Sequence, residues 1–395
     1  ILQRLAPEID REFITNIFLI SLALRLGLGI ALELLDLRTL AGGDAVAYDV
    51  FGTRIVEYWQ GLASYNDPIT RLAIEGSGAN WGMNNLVAGL YYVIGPNIFA
   101  AQSACAVFGA ATPPLAYLCS LKIFKNRNVA RYTAIALAVV PAFILWSGQL
   151  LKDGLIAFLL VLAIYLVMRL QERFNWLEVI LLMGTMAGVM ALRFYIFYMI
   201  AAAVAGSFVV GSSRSNNSMI RRTAALVLIA FGLTYFGVMR TATINFNEFA
   251  QLDRIQMTRD ALSRDAGSGF GEDIDVSTTE GAVMAMPVGL MYLMFSPFPW
   301  EFRSLHQFIT LPDLLIWWAT IPFIIMGLIY TFKNRLREAL PILLFVVMLS
   351  LAYSLFQGNT GMIYRQRIQI QVFLFMIAAV GWTLVKERRE DRELI

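Results

Sequence analysis

Asn16-Ile17-Phe18-Leu19-Ile20-Ser21-Leu22-Ala23-Leu24-Arg25-Leu26-Gly27-Leu28-Gly29-Ile30-Ala31-Leu32 forms the middle of an apolar run over residues 13–35. Gly42-Gly43-Asp44-Ala45-Val46-Ala47-Tyr48-Asp49 follows it. A run of about 20 apolar residues crosses the roughly 30 Å hydrocarbon layer as a helix. The glycine-led stretch then sets a carboxylate, Asp44, just outside that helix, where lipid-borne chemistry takes place. It is the leading candidate for a catalytic site.

The rest of the chain repeats the pattern. Of its 395 residues, 58% are hydrophobic and 15% charged, against roughly 25% charged in a soluble domain. The fold class expected is an all-α polytopic membrane protein. Ten spans are expected, over residues 13–35, 98–121, 131–149, 152–170, 175–192, 194–211, 223–240, 312–332, 339–357 and 366–385. The whole chain, 1–395, reads as a single membrane-embedded domain. The formal charge of +3 does not imply a nucleic-acid partner.

Charge distribution orients the spans. Segments 122–131, 169–174, 212–222, 333–338 and 386–393 are short and basic, with Lys122, Lys125, Arg127, Arg131, Arg214, Arg335 and Arg388 among their cations. The positive-inside rule puts these segments and both termini in the cytoplasm. An extra crossing at 82–97 would move the Lys122 to Arg131 cluster outside, so that segment is expected along the outer interface. Arg4 and Arg11 precede a first span too long for a signal peptide and without a cleavage pattern, so it is expected to remain as an anchor.

Two outer loops are large enough to carry function, residues 36–97 and 241–311. In the first, Val46, Val50, Ile55, Tyr58 and Trp59 interleave with Asp49, Arg54 and Glu57 at helical spacing, which predicts an amphipathic interfacial helix. In the second, Phe246, Phe249, Leu252 and Ile255 predict another. Gly267-Ser268-Gly269-Phe270-Gly271 then opens an acidic stretch that reads as a linker or a mobile lid, since no strand precedes it and no Gly-Lys-Ser/Thr follows. Ala282 to Trp300, carrying Pro287, Pro297 and Pro299, reads as an interfacial or re-entrant segment ending in the belt Phe298 to Arg303.

Several charged residues near the outer ends of spans demand a partner or a role, because burial at the bilayer centre costs about 2.5–3.5 kcal/mol on insertion scales. Arg25 is expected to pair with a neighbouring helix or to snorkel. Trp146-Ser147-Gly148-Gln149-Leu150-Leu151-Lys152-Asp153 predicts a tight outer hairpin exposing Lys152 and Asp153 beside Asp44. Two readings stand there: a salt-bridged turn with Asp153 capping the next helix, or part of a site. Arg193, in Leu192-Arg193-Phe194-Tyr195, either snorkels or faces the same cleft. Tyr364-Arg365-Gln366-Arg367 precedes the last span with no acid nearby in sequence. Its arginines suit a lipid-linked phosphate, through the bidentate fork of the guanidinium, or lipid headgroups.

Gly43-Asp44 with Tyr48 after a first span, the Trp146 to Asp153 hairpin and Tyr364-Arg365-Gln366-Arg367 resemble the membrane-embedded glycosyltransferases of the GT-C fold class, the family-39-like and bacterial surface-polysaccharide types. The resemblance implies a polyprenyl-phosphate-linked sugar donor and a glycan, lipid or protein acceptor. It also implies a bacterial inner-membrane protein with an outward-facing site and inverting transfer to a hydroxyl. Asp44 matches the family's first-loop acid, the general base toward the acceptor. Asp153 matches a second outer acid, and Arg365 and Arg367, with Lys152 or Arg193, would neutralise the departing phosphate. Many relatives carry a second acid next to the first; here Ala45 follows Asp44, and Asp49 lies five residues on.

No obligatory cofactor is expected. Cys105 and Cys119 share one apolar span, and His306 is the sole histidine, so a divalent metal would rely on carboxylates alone. A polymerase or ligase using a pyrophosphate-linked glycan is the nearest alternative. A lipid-linked sugar transporter would show repeats and mid-membrane polar groups, and neither is evident. A scaffold subunit would not need arginines and acids gathered at one face.

Overall fold

In a computed structural model the chain is described over residues 2–35, 43–75, 81–210, 216–249, 251–264, 269–271, 274–302 and 308–393. Gly42, Arg214, Gly267, Ser268, Arg303 and His306 lie outside them. The first apolar run folds as α1, Arg11–Leu34, and buries Ile14, Ile17, Ser21, Arg25, Gly29 and Leu32 along one stripe. Its other face exposes Leu19, Ile20, Leu24 and Ile30, as a helix bordering lipid requires. Arg25 is fully buried. It donates to Ser147 Oγ at 2.7 Å and to the Ser21 carbonyl at 2.9 Å, and it lies over the Phe143 ring. The expected partnership with a neighbouring helix is therefore present, without a counter-ion among these contacts.

Next come α2, Asp44–Trp59, α3, Pro68–Glu75, and α4, Trp81–Ile94. The face of α2 that packs inward is Ala45, Tyr48, Gly52, Ile55 and Val56. Val46, Val50, Tyr58 and Trp59, of the apolar set expected to lie on the membrane surface, are exposed, while Ile55 is buried. Gly52 marks the packed face, where Val87 of α4 comes so close that a Cβ would collide. With 14 residues, α4 is about 21 Å long, short of the bilayer core.

The central helices are α5, Ile98–Phe124, and α8, Lys152–Glu172. Between them the expected span 131–149 is bent by 60° into α6, Arg127–Val139, and α7, Pro141–Ser147. Pro141 has no N–H to continue the ladder, and Val140 before it is extended at φ −61°, ψ 123°, as the pre-proline residue prefers. Then follow α9, Trp176–Leu192, α10, Phe194–Val210, α11, Asn216–Tyr235, and α12, Val238–Phe249. The run expected to cross over 223–240 is interrupted at Gly237, whose φ of +74° belongs to the left-handed region that ends helices.

The second large loop folds as α13, Leu252–Arg264, and α14, Thr279–Phe295. Pro287 sits inside α14 and does not break it, so this apolar stretch is one helix ending at Ser296. The described part of the glycine-rich stretch, Gly269 to Gly271, is docked rather than a plain linker. Gly269 forms an antiparallel bridge with Asn359, Phe270 N–H donates to the Gly358 carbonyl at 2.9 Å, and the Phe270 ring stacks on Tyr292 at 4.0 Å.

The chain closes with α15, Leu311–Asn334, α16, Leu336–Phe356, α17, Thr360–Gln366, and α18, Ile368–Glu393. α15 and α18 pack backbone to backbone. A Cβ on Gly327 would overlap the Ile377 carbonyl, and one on Gly381 would overlap that of Phe323. Small residues permit this approach where lipid supplies no hydrophobic drive.

The protein is thus an all-helical polytopic membrane protein. Among the described residues six helices are long and apolar enough to cross, and the bent α6–α7 pair makes up to seven. The remaining expected spans correspond to shorter apolar helices, Trp176–Leu192, Phe194–Phe208 and Leu226–Tyr235.

Charge gathers at both ends of the bundle. At one end the buried Asp10 receives Arg127 and Arg131, each at 2.6 Å, and Arg169 meets Glu178 at 2.7 Å. At the other end, about 30 Å away along the 21 residues of α8, lies the cluster described next.

Candidate active site

Four separate segments of chain deliver the cluster. Asp44 is the first residue of α2, behind Gly43, where the helix N-terminus favours a carboxylate. Asp153 is the second residue of α8, reached from α7 through the buried turn Gly148 to Leu151. Arg193 occupies the break between α9 and α10. Arg365 lies in α17, whose N-cap Asn359 accepts from Met362 N–H.

Arg365 is the hub. Its Nε donates to Asp153 Oδ2 at 2.6 Å and its Nη1 to Asp44 Oδ2 at 2.6 Å. Arg193 Nη2 donates to the other Asp153 oxygen at 3.1 Å. The Arg365 guanidinium also lies over the Trp146 ring, 5.5 Å from its centroid. Arg365 therefore has counter-charges, although none is near it in sequence. Burial opposes the Arg365 charge, but Asp153 and Asp44 outweigh it and the pKa is raised. At Arg193 burial is likewise outweighed, by Tyr195, Asp153 and Tyr353, so it too stays charged.

The two carboxylates differ. Asp153 is fully buried, while the Asp44 side chain is 48% exposed. Asp153 makes no capping bond, the cap position being Leu151, and Lys152 and Asp153 are buried where the sequence suggested an exposed hairpin. The turn is buried because Ser147, at its start, fills the space left by Gly109 and Gly154. Lys152 lies within electrostatic reach of Arg193, Asp153, Arg365 and Asp44. Tyr48, one turn after Asp44, is buried in the same field; burial first, then Asp44, push its phenol up, so it remains a neutral hydroxyl.

Two expected residues stand apart. Asp49 accepts from Tyr91 OH at 2.5 Å, which ties α2 to α4. Arg367 points to the end of α14, donating to the Ser296 carbonyl at 2.6 Å, with Trp317 and Tyr364 under its guanidinium. There it meets carbonyls that a helix C-terminus leaves without partners, as Trp317 Nε1 does at Met294 O, 2.6 Å away.

Sequence reasoning missed the supports. Asp313, at the start of α15, accepts from Ala142 N–H at 2.9 Å and Tyr364 OH at 3.2 Å, joining the α7 segment to the one that carries Arg365. Tyr353 lies within electrostatic reach of Arg193 and donates to Gln369 Oε1 at 2.5 Å. The glutamines of the last span, Gln366, Gln369 and Gln371, were the available signal. Each is buried, and an amide in an apolar span needs a partner.

Among the described residues no three of His, Cys, Asp and Glu converge. Asp44 and Asp153 share one guanidinium, so this donor set does not form a cation site. What the cluster can do is hold an anion beside a half-exposed carboxylate.

The helical membrane architecture and a family match point to a membrane-embedded glycosyltransferase of the GT-C kind. The family model of the dolichyl-phosphate-mannose-protein mannosyltransferases matches residues 82–239, a stretch that includes Lys152, Asp153 and Arg193 and bears out the resemblance seen in the sequence. No curated protein matches the chain.

Proposed function

We propose that this protein transfers a sugar from a polyprenyl-phosphate carrier to a hydroxyl acceptor at the outer face of a bacterial inner membrane. The observation that carries the reading is the Asp44–Arg365–Asp153 arrangement: one exposed acid and one buried acid on a single guanidinium. Asp44 takes the proton of the acceptor hydroxyl. The freed oxygen forms the new bond at the anomeric carbon as the bond from that carbon to the phosphate oxygen breaks, and the electron pair leaves with the phosphate. Arg365, with Arg193 and Lys152, neutralises that charge. Asp153 holds both arginines in place.

A cavity of about 470 Å³ lined by Met186, Phe197, Leu226, Ile229, Leu233 and Phe246 supports a long apolar donor. It lies beside α10, a turn beyond Arg193, and suits an isoprenoid chain better than a water-soluble nucleotide sugar. The basic segments at the opposite end support cytoplasmic termini and an outward site. On this topology α9, α10 and α11 cross as short spans, bringing the total to ten. Residues 36–97 and 241–311 then form the outer loops.

The test is turnover by purified protein in vesicles supplied with undecaprenyl-phosphate-linked sugars. Release of undecaprenyl phosphate by wild type and not by Asp44→Asn supports the proposal. Turnover of pyrophosphate-linked glycans alone would assign a polymerase or ligase instead.

A further inference from the structure

We infer that the phosphate of the lipid donor and the carboxylate of Asp44 compete for the same edge of Arg365, so that donor binding is what frees Asp44 to act as base. The inference rests on the reading of Arg365 as the phosphate-binding residue given above.

A guanidinium offers two forks to a bidentate oxyanion, Nε with one Nη and the Nη1–Nη2 edge. In Arg365 the Nε position belongs to Asp153 at 2.6 Å. Asp153 is fully buried and is also held by Arg193, so it cannot give way without leaving two buried cations bare. Nη2 has no hydrogen-bond partner, and Nη1 is held by Asp44. The Nη1–Nη2 edge is therefore the fork left for a phosphate, and Asp44 half covers it. Asp44 is also the partner that can leave. Its side chain is 48% exposed, and water can solvate it once it lets go.

The charges agree with an exchange. Arg365 and Arg193 face Asp44 and Asp153, two cations against two anions, with the buried Lys152 within electrostatic reach of all four. A sugar phosphodiester carries one negative charge and takes the place of Asp44 on Arg365 without changing the balance there. When the sugar departs, the carrier becomes a phosphomonoester with additional charge, placed beside Arg365, Arg193 and the Lys152 amine. Before donor arrives, the base is engaged by Arg365 and the acceptor hydroxyl finds no free carboxylate. The exchange thus orders the reaction, donor first, and suppresses idle proton removal at an empty site.

Binding of undecaprenyl phosphate to the protein in nanodiscs, with undecaprenol as the control lacking phosphate, tests the exchange. Removing the competing carboxylate in Asp44→Asn is expected to tighten undecaprenyl phosphate binding by roughly 2- to 5-fold, the scale of an exposed ion pair, and to leave undecaprenol unchanged. Asp49→Asn, which removes a charge from the same helix without contact to Arg365, leaves the affinity where it was. Arg365→Lys, which keeps a cation opposite Asp153 but loses the fork, weakens phosphate binding by about tenfold. Equal or weaker binding by Asp44→Asn, or a gain matched by Asp49→Asn, overturns the exchange while the phosphate reading stands. Unchanged binding by Arg365→Lys overturns the phosphate reading and the exchange with it.

Discussion

Arg365 and Asp153 meet at 2.6 Å across 212 residues of chain. The Arg365 side chain is 8% exposed and the Asp153 side chain not at all, so the pair is a fixed structural joint between α8 and α17 as well as a chemical one. A buried pair broken from one side leaves an uncompensated charge, which costs about 3–5 kcal/mol. Asp153→Asn strips the counter-charge from both Arg365 and Arg193. It is expected to lower thermal stability in detergent by that order and to abolish transfer. An unchanged melting temperature would mean that the joint does not hold the site together.

Arg367, two residues further, is expected to behave differently. Its guanidinium serves the carbonyl end of α14 through Ser296, so Arg367→Met should cost about 1–3 kcal/mol of stability and leave undecaprenyl phosphate affinity unchanged. Lost affinity with normal stability would return Arg367 to the phosphate site.

The α15–α18 contact depends on Gly327 and Gly381, each facing a carbonyl of the other helix. Leucine at either position must push the helices apart, at a cost of about 1–3 kcal/mol or more. Folded yield in membranes, followed by size-exclusion profile, should fall for Gly327→Leu and for Gly381→Leu. Gly89→Ala, at a position with open space around it, should behave as wild type.

Much of this architecture was legible because apolar length is a direct signal. The runs over 98–121, 152–170 and 339–357 became α5, α8 and α16 with small changes at their ends. Where the reading failed, a local backbone constraint overrode hydropathy: Pro141 bent the run over 131–149, and Gly237 cut the one over 223–240. The candidate site was legible as a set of residue types near one end of several spans. Its wiring was not, because nothing in the neighbourhood of Arg365 announces acids 212 and 321 residues away. Arg365 and Arg367 looked equivalent in sequence, yet two residues along a helical turn place them on different sides, one toward Asp153 and one toward Ser296. Asp313 escaped notice because a lone acid at the start of an apolar run reads as a helix-terminus residue, and its partners Ala142 and Tyr364 carry no charge.

The most direct test of sugar transfer by this site is a mass-spectrometric comparison of lipid-linked sugars and surface glycans in cells lacking the protein. The cells are complemented with wild type or with Asp44→Asn at matched membrane abundance. The account expects one sugar unit to be missing and its polyprenyl-phosphate donor to build up, with rescue by wild type and none by Asp44→Asn. An unchanged profile in the deletion, or full rescue by Asp44→Asn, would contradict it.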